Sequence, residues 1–221
     1  MMEKNIRQLQ SELIEWWKVN GREFPWRKTR DPYKILIAEV LLHRTRAEQV
    51  VPIYLKLIRE FPDIFSLAKA DKNVILNYLY SLGLRWRAEL LHKMAQEIVK
   101  RGGEIEANKE WLLSLPGISH YIASAVLCFA FGRPEPLLDT NTVRILGRIF
   151  NIKVTDSSRR SKKFRELYFR IMDKNHPREF NFAMIDLGAL VCRPENPMCK
   201  NCPLKNLCLY YQITVGGGDD A

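Results

Sequence analysis

Long apolar runs are missing from this sequence. No stretch reaches the roughly eighteen residues that a membrane-spanning helix needs, and the N-terminal segment MMEKNIRQLQSELIEWWKVN is polar and amphipathic rather than a signal peptide. Cysteine is scarce, with five in 221 residues. Because no export signal is present, we expect a reducing, cytoplasmic compartment, in which cysteines serve as metal ligands more often than they form disulfides.

Acidic residues are also few relative to basic ones. The chain has 25 Asp and Glu against 35 Lys and Arg, a formal net charge of +10. This balance favours a polyanionic partner, although a merely soluble basic surface would have the same composition. Apolar residues make up 47% of the chain, which is enough to bury the core of one large domain or two small ones.

Paired segments of alternating apolar and polar residues, internal repeats and low-complexity tracts are all absent. Apolar residues instead recur at helical spacing. One face of a first helix comprises Ile6, Leu9, Leu13, Ile14 and Trp17. The segment AEQVVPIYLKLIREF predicts a helix that starts or kinks at Pro52. The pattern as a whole predicts an all-α protein of about ten helices, with a flexible tail at 214–221.

Four of the five cysteines fall in one stretch, CRPENPMCKNCPLKNLC, as Cys192, Cys199, Cys202 and Cys208. Zinc sites usually combine two separated C-x2-C pairs, and here there is one such pair with single cysteines on either side. A cluster with one thiolate per iron is often bound by a single segment. The C-x6-C-x2-C-x5-C spacing therefore favours an iron–sulfur cluster over zinc. Disulfides are a weaker alternative, and four unrelated core cysteines are a weaker one still. Cys128, in an apolar helical segment, is predicted to be a core residue.

Several motifs together resemble one family. The cysteine spacing, LPGIS at 115–119, LLDTNTVRILGRIF, FPWRKTRDPYKILIAEVLLHRT and FNFAMIDLGALVCRPENPMC resemble segments of the helix-hairpin-helix DNA glycosylases. That superfamily includes endonuclease III, the A/G-specific adenine glycosylases and the archaeal T:G-mismatch glycosylases. The matches run in family order from about Phe24 to Tyr211, and they are closest to the adenine and mismatch groups.

The resemblance implies an endonuclease III-like, all-α fold with a [4Fe-4S] cluster. It implies a six-helix domain with the hairpin over residues 23–134, and a helical cluster domain built from 1–22 and 135–213. DNA would lie between them, with Glu39 and Tyr121 on one wall and Asp139 opposite. The implied partner is double-stranded DNA with a mispaired or damaged base, and no membrane is expected as a partner. The protein is expected to be a monomer that associates with the nucleoid of a prokaryotic cell.

The hairpin also has a physical rationale. A helix would end at Pro116 and Gly117, and Ser119 could cap the next one, so that backbone N–H groups face a DNA phosphate. Most such turns bind nothing, and the family usually has glycine at position 119. The residues predicted to bind DNA here are Pro116, Gly117, Ile118, Ser119 and His120.

Removal of a base from duplex DNA requires flipping it out of the stack. Cleavage of its glycosidic bond then builds positive charge on the sugar, which an ionised carboxylate stabilises. Asp139 precedes a helix and on its own would be an N-cap; the resemblance makes it the catalytic aspartate, oriented by Asn141. Glu39 lies among apolar residues, so burial would raise its pKa and let it protonate the leaving base and then activate water, unless it is an exposed helix residue.

Position 121 indicates the reaction subtype. The bifunctional members of the family have a lysine there, whose amine forms a Schiff base and leads to strand cleavage. This chain has Tyr121, which could equally pack against the hairpin. The sequence therefore predicts a monofunctional glycosylase that leaves an abasic site.

The target base is predicted from fewer residues. Four residues resemble base-pocket residues of the family, namely Trp26, Arg27, Asn141 and Asp186. Trp26 could instead be an ordinary core residue. Asp186 could accept a hydrogen bond from the N3–H group of thymine or uracil, or from the amino group of adenine. These base-pocket assignments leave the target base open.

The departures from the adenine glycosylases favour thymine or uracil opposite guanine. Their Gln-Gln pair is His43-Arg44 here, their Tyr-Tyr pair is Leu84-Arg85, and the sequence stops before their second domain. The length of the LGLRWRAELL loop, in contrast, is that of the adenine group. Arg44 and Arg85 are predicted to fill the gap left by the flipped nucleotide, unless they bind phosphate or solvent.

The alternatives left open are an adenine glycosylase acting on A:G or A:8-oxoguanine pairs, a non-catalytic iron–sulfur DNA-binding module, and an electron-transfer protein. The last two leave the paired carboxyl groups Glu39 and Asp139 unexplained. Release of a free base would separate a glycosylase from both of them.

Overall fold

The structure is a computed structural model that describes residues 2–80 and 85–214. Within these ranges the regular elements are helices, with no strand, which confirms the all-α prediction. The chain forms two compact units. The central unit comprises residues 23–133, and the terminal unit combines residues 1–22 with 134–221.

The α-helices of the described ranges are numbered in chain order. They are α1 (Met2–Asn20), α2 (Pro32–Leu42), α3 (Ala47–Glu60), α4 (Ile64–Lys69), α5 (Lys72–Leu79), α6 (Arg85–Lys100), α7 (Lys109–Leu113), α8 (His120–Phe129), α9 (Thr140–Ile149), α10 (Lys162–Ile171), α11 (Pro177–Leu190) and α12 (Leu209–Thr214). Short 3-10 helices cover Pro25–Lys28, Asp156–Arg160, Cys199–Asn201 and Lys205–Leu207. The residues after 214, where a flexible tail was predicted, lie outside the described part.

The core of the central unit forms around α2. This helix is apolar on every side, as expected for a helix that is surrounded by others, and it packs against α3, α6 and α8. Ile35, Leu36, Ile37 and Leu41 are almost completely buried. Asp31 caps the helix by accepting hydrogen bonds from the amide groups of its first turn. Any side chain that α2 buries is therefore surrounded by apolar residues.

The helix predicted around Pro52 does not start there. α3 begins at Ala47 and runs through Pro52 to Glu60. Proline removes one backbone hydrogen bond from a helix interior. Pro52 is exposed, so it lies on a face of the helix that water can reach.

The terminal unit joins the two ends of the chain in one core. α1 packs against α10 and α11, and α9 packs against α10, α11 and α12. The shared core includes Leu13 from α1, Leu146 from α9, Phe180 from α11 and Cys208 from the cysteine-rich segment. No helix within the described residues combines the length and the apolar character that crossing a bilayer requires.

Glu39 lies on α2 inside this apolar core, with a side chain only 6% exposed. Burial raises the pKa of Glu39 from 4.5 to about 7, and the charge of the Arg27 guanidinium partly opposes that increase. A folded-state pKa above the unfolded value means that the native protein keeps a proton which the unfolded chain releases. The contribution of Glu39 to stability is thus fully present below pH 4.5 and is lost as the pH rises to about 7.

We therefore expect the free energy of unfolding of wild type to fall relative to that of Glu39→Gln by about 1.4 kcal/mol per pH unit within this window. Above it the difference should be constant. Denaturant unfolding at a series of pH values measures the difference, and Glu106→Gln, at an exposed position, controls for the substitution itself. A difference between Glu39→Gln and wild type that does not change with pH would contradict the buried, protonated carboxyl.

Candidate active site

The environment of Glu39 includes the 3-10 segment that precedes α2. Trp26 is buried and stacks on Phe24 with ring centroids 5.0 Å apart and an interplanar angle of 6°. It also meets Tyr54 edge to face at 5.3 Å. These contacts are those of a core aromatic residue, so the structure favours the core role for Trp26. The guanidinium carbon of Arg27 lies 5.1 Å from the Phe24 ring centroid. The positive charge of this guanidinium interacts with the Glu39 carboxyl.

The turn between α7 and α8 is the predicted hairpin. Gly117 has φ +77, a backbone conformation that favours glycine, and a Cβ atom at this position would lie 2.2 Å from Leu90 Cδ2, so Leu90 would have to shift to admit a side chain. Ser119 is the N-cap of α8, and its hydroxyl oxygen accepts a hydrogen bond from the Ile122 amide at 3.2 Å. Capping by Ser119 was predicted from the sequence.

The N-terminus of α8 is open to solvent. Gly117, Ser119 and His120 are exposed, whereas Ile118 is buried and Pro116 is half-buried. A phosphate can therefore approach the first turn of the helix, as the predicted DNA-binding role of this turn requires. Tyr121 is half-buried at the second position of α8.

Asp139 is the N-cap of α9. One carboxylate oxygen accepts a hydrogen bond from the Thr142 amide at 2.7 Å, and the Asp139 amide donates in return to the Thr142 hydroxyl oxygen at 2.9 Å. The other carboxylate oxygen accepts a hydrogen bond from the Asn141 side-chain amide at 3.1 Å. Asp139 thus has the capping role that its sequence position predicts. The half-buried carboxylate is fixed in direction by the same contacts.

Arg144 anchors this arrangement and was missed in the sequence analysis. Its guanidinium donates to the Asn141 side-chain oxygen at 2.9 Å, to the Gly188 carbonyl at 2.9 Å and to the Cys192 carbonyl at 2.8 Å. Asn141 and Arg144 are three residues apart on one helix, a spacing that places side chains side by side. That spacing could have indicated the pair, but the contacts with residues near 190 could not be read from it.

α9 and α11 come close together at Gly188. A Cβ atom at this position would lie 2.6 Å from the Asn141 Cβ atom. Because glycine leaves this space, Asn141 packs directly on α11 while its amide group contacts Asp139. The predicted role of Asn141 as an orienting residue is compatible with this geometry.

Asp186, by contrast, is committed to the packing of α1. Its carboxylate is completely buried and accepts hydrogen bonds from the Trp17 indole at 3.0 Å, from the Arg22 amide at 3.0 Å and from the Arg22 guanidinium at 2.8 Å. Both oxygens are used in these contacts. The structure therefore gives Asp186 a structural role, tying the end of α1 to α11, instead of the base-pocket role that the sequence suggested.

The cysteine-rich segment is organised by Arg148. Its guanidinium donates to Cys192 Sγ at 3.3 Å and to the Arg193 carbonyl at 2.7 Å, and its own carbonyl accepts a hydrogen bond from Cys208 Sγ at 3.5 Å. Burial raises the pKa of the Cys202 thiol to about 12, and the neighbouring cysteines add to this increase.

Within residues 2–80 and 85–214, no group of three or more His, Cys, Asp or Glu side chains is arranged to hold a metal ion. The predicted metal site therefore stays a prediction. A zinc site would require four ligands around one ion at about 2.3 Å. A four-iron cluster takes one thiolate at each iron, so its sulfur ligands stand farther apart. Four cysteine thiols in one short segment are the donor set that such a cluster takes.

The end of α2 carries two of the residues predicted to contact DNA. His43 is the C-cap of α2, and Arg44 follows in the left-handed region with φ 63; both are exposed. Trp86, which was not singled out in the sequence, lies with its ring centroid 6.3 Å from that of His43. Leu84 and the side chain of Arg85 lie outside the described residues.

The comparison with known proteins begins with a family model. Residues 37–170 match the HhH-GPD superfamily of base excision DNA repair proteins. The chain is 41% identical to a thymine-DNA glycosylase of Aeropyrum pernix, over 93% of this chain and 95% of that protein. It is 34% identical to an adenine DNA glycosylase of Buchnera aphidicola, over 90% of this chain and 57% of that protein.

Solved structures give the same result. The chain superposes on a thermostable thymine-DNA glycosylase with a TM-score of 0.90 and 34% identity, covering 96% of this chain and 99% of the other. A complex of endonuclease III with DNA has a TM-score of 0.80 at 23% identity, covering 96% and 98% of the two chains, which confirms the endonuclease III-like fold. This chain belongs to the HhH-GPD superfamily of base excision DNA repair proteins and is a DNA glycosylase.

Proposed function

We propose that this glycosylase removes thymine or uracil opposite guanine by hydrolysis and leaves an abasic site in duplex DNA. The observation that carries the proposal is the fixed carboxylate of Asp139, combined with a phenol rather than an amine at position 121. Together these features support cleavage of a glycosidic bond without capture of the sugar by the protein.

Asp139 acts on the sugar. As the bond from C1′ to the base nitrogen breaks, its electron pair leaves with the base and positive charge builds on the deoxyribose. A carboxylate already oriented by Thr142 and Asn141 stabilises that charge without having to reorganise. Arg144 holds Asn141 in place through Gly188 and Cys192, so it acts as a positioning residue.

Glu39 acts on the base and on water. With a pKa of about 7, its carboxyl is partly protonated near neutral pH and can deliver a proton to the leaving pyrimidine. The resulting carboxylate then accepts a proton from the water molecule whose oxygen bonds to C1′. The base and the abasic sugar are the products, and Glu39 regains its proton.

The choice of thymine or uracil is supported by the residues at the end of α2 and by the relatives. His43 and Arg44 stand where adenine glycosylases have a Gln-Gln pair. The relative named for thymine is 41% identical, and the one named for adenine is 34% identical. Adenine opposite guanine or 8-oxoguanine is the alternative that a substrate panel must test.

A [4Fe-4S] cluster is the cofactor that we propose for the cysteine-rich segment. Cys192, Cys199, Cys202 and Cys208 would hold it, one thiolate per iron. It would supply structural order to the segment rather than chemistry at the sugar. Arg148 and Arg144 connect that segment to α9, the helix that starts at Asp139. We further propose that the protein acts as a monomer in the nucleoid of a prokaryotic cell.

Base release from a panel of duplexes tests the substrate. We expect release from T:G and U:G pairs and much slower release from A:G and A:8-oxoguanine pairs. Asp139→Asn should lower the single-turnover rate at least a hundred-fold, because it removes the negative charge, while DNA binding persists. Asp63→Asn is the matched control, since Asp63 caps α4 with the same reciprocal contacts. Fast release of adenine opposite 8-oxoguanine with inert T:G would overturn the choice of base.

Borohydride trapping tests the monofunctional mechanism. Reduction of an imine between protein and abasic DNA would leave a covalent adduct, and wild type should give none, because the Tyr121 phenol cannot form an imine. The product strand should remain uncut until it is treated with alkali. Tyr121→Lys is the matched variant in which an adduct can form. A trapped adduct with wild type would show that another amine of the chain attacks the sugar.

Iron and sulfide analysis tests the cofactor. We expect about four iron atoms per chain and a brown protein. Cys199→Ser should lose iron and lower the unfolding temperature, because a thiolate ligand is missing. Cys128→Ala, at a buried cysteine of α8, should keep its iron. Purified protein with zinc in place of iron, or with equal iron loss in both variants, would refute the assignment.

A further inference from the structure

The segment from Lys153 to Lys174 holds half of the protein's net positive charge. It has eight Lys and Arg residues against three Asp and Glu, so it contributes +5 of the chain's +10 within 22 of 221 residues. The run SRRSKKFR lies inside it, and neither the fold nor the proposed function accounts for this run. Like charges repel one another, so such a concentration is unfavourable in the folded chain unless an anion opposes it.

Two of the three acidic side chains of this segment are engaged with close neighbours. Glu166 pairs with Lys162, with Oε1 3.7 Å from Nζ. The Asp173 carboxylate accepts a hydrogen bond from the Asn175 amide at 2.9 Å and lies 3.0 Å from a ring nitrogen of His176. These carboxylates are therefore occupied by contacts within the segment.

Four exposed cations of the segment have no carboxylate partner among residues 2–80 and 85–214, namely Arg159, Arg160, Lys163 and Arg170. Lys163 and Arg170 lie seven residues apart on α10, hence on one side of the helix. At a rise of about 1.5 Å per residue they are about 10 Å apart along its axis. One strand of duplex DNA presents a phosphate about every 3.4 Å along its axis, so these two side chains can reach phosphates about three nucleotides apart.

A cleft of about 640 Å³ lies at the C-terminal end of α10, lined by Arg7 of α1 together with Arg170 and Lys174. The Gln10 side chain, one turn after Arg7, donates a hydrogen bond to the Ile171 carbonyl at 3.0 Å and so keeps α1 against the end of α10. Among the described residues the lining has three cations and one carboxylate, which already lies beside a histidine ring. Such a lining favours an anion with several acceptor oxygens, such as a phosphate group.

Lys174 is held beside α10 by an aromatic ring. Its Nζ atom lies 4.4 Å from the Phe169 ring centroid, within the range of a cation–π contact. Phe169 is 40% exposed and Lys174 is also exposed, so the ring and the ammonium group both face solvent. The ammonium group is therefore placed at the cleft before any ligand binds.

Duplex DNA is the polyanion that matches this surface. An acidic protein segment would also complement the charges, but DNA carries about one negative charge per 1.7 Å of its axis and is the polymer on which a glycosylase acts. The cations lie on α1, on the 3-10 helix Asp156–Arg160 and on and just after α10, whereas the predicted hairpin lies between α7 and α8. Contacts with phosphate carry no sequence information, so undamaged duplex suits the surface as well as damaged duplex does.

We propose that the terminal unit binds the phosphate backbone of duplex DNA on a basic surface of its own, in addition to the hairpin. The residues of this basic surface are Arg7, Arg159, Arg160, Lys163, Arg170 and Lys174. A phosphate group occupies the cleft at the end of α10, and the cations before and along α10 contact further phosphates. The surface holds the protein on undamaged DNA, and the proposal does not depend on which base the enzyme removes.

The salt dependence of binding to an undamaged duplex tests the basic surface. Each phosphate contact that is lost should lower the slope of log K against log salt by about 0.9 in magnitude. The cleft variant, Arg7→Ala with Arg170→Ala and Lys174→Ala, should therefore lower the slope by about two to three and weaken binding at about 0.1 M salt at least ten-fold. The double variant Arg7→Lys with Arg170→Lys keeps both charges and should keep the wild-type slope.

Lys56→Ala with Arg59→Ala and Lys69→Ala is the matched control, because it removes the same charge from exposed positions of α3 and α4. This control variant should keep the wild-type slope. Equal slopes for wild type and the cleft variant would overturn the basic surface. So would an equal decrease in the cleft and control variants, since net charge alone would then explain the loss. Unchanged DNA binding by the cleft variant with lower affinity for poly(glutamate) would also overturn it, in favour of an acidic protein partner.

Lysine acetylation of the wild-type protein gives a second measurement that needs no variant. Undamaged duplex should protect Lys163 and Lys174 from the reagent, whereas Lys56 and Lys69 should react equally with and without DNA. Mass spectrometry of the peptides measures the acetylated fraction at each lysine. Equal reaction of Lys163 and Lys174 with and without DNA would contradict the basic surface.

These binding measurements are independent of base release, because an undamaged duplex offers no base to remove. The cleft variant should also retain the single-turnover rate of wild type on a T:G duplex at saturating protein, since its residues bind the backbone away from the reacting sugar. A lower rate at saturation would show that the surface acts in the reaction itself and would overturn its role in retention. A failure of the proposed function would appear in the base-release panel and leave the salt dependence unchanged.

Discussion

The hydrogen bonds that fix the Asp139 carboxylate are the contacts on which the rest of the account depends. One oxygen is held by the first turn of α9 and the other by Asn141. A negative charge that must stabilise a cationic sugar is effective only if its direction is set before the bond breaks. Arg144 extends this constraint to the carbonyl groups of Gly188 and Cys192. The cysteine-rich segment therefore supports α9 through the contact between Arg144 and the Cys192 carbonyl.

The two carboxyl groups that we propose for catalysis lie in different environments, and the roles that we propose for them follow from this difference. Glu39 is enclosed by the apolar residues of α2, where burial raises its pKa to about 7. Asp139 is half-buried and accepts hydrogen bonds from a backbone amide and a side-chain amide. An acid that gives up a proton near neutral pH suits the leaving base, and an oriented hydrogen-bonded carboxylate suits the sugar.

Features that depend on neighbouring residues could be predicted from the sequence. The caps at Ser119 and Asp139 follow from local patterns. The apolar residues on both sides of Glu39 left open whether its side chain is buried or exposed, and the resemblance to the family favoured burial. Contacts between distant residues could not be predicted in this way. Asp186 meets Arg22 across 164 positions, and the ring of Trp86 meets that of His43 although the two residues lie on different segments of the chain. The helix running through Pro52 shows that a proline on an exposed helix face does not mark a boundary.

The most direct test of the central claim is the affinity of the protein for a cationic abasic analogue, with a positively charged nitrogen in place of C1′, relative to the neutral tetrahydrofuran analogue. If the Asp139 carboxylate stabilises a cationic sugar, wild type should prefer the cationic analogue by at least about ten-fold, because an analogue that resembles the transition state binds more tightly. Asp139→Asn should lose that preference while binding the neutral analogue as before. An equal preference in wild type and Asp139→Asn would contradict the claim.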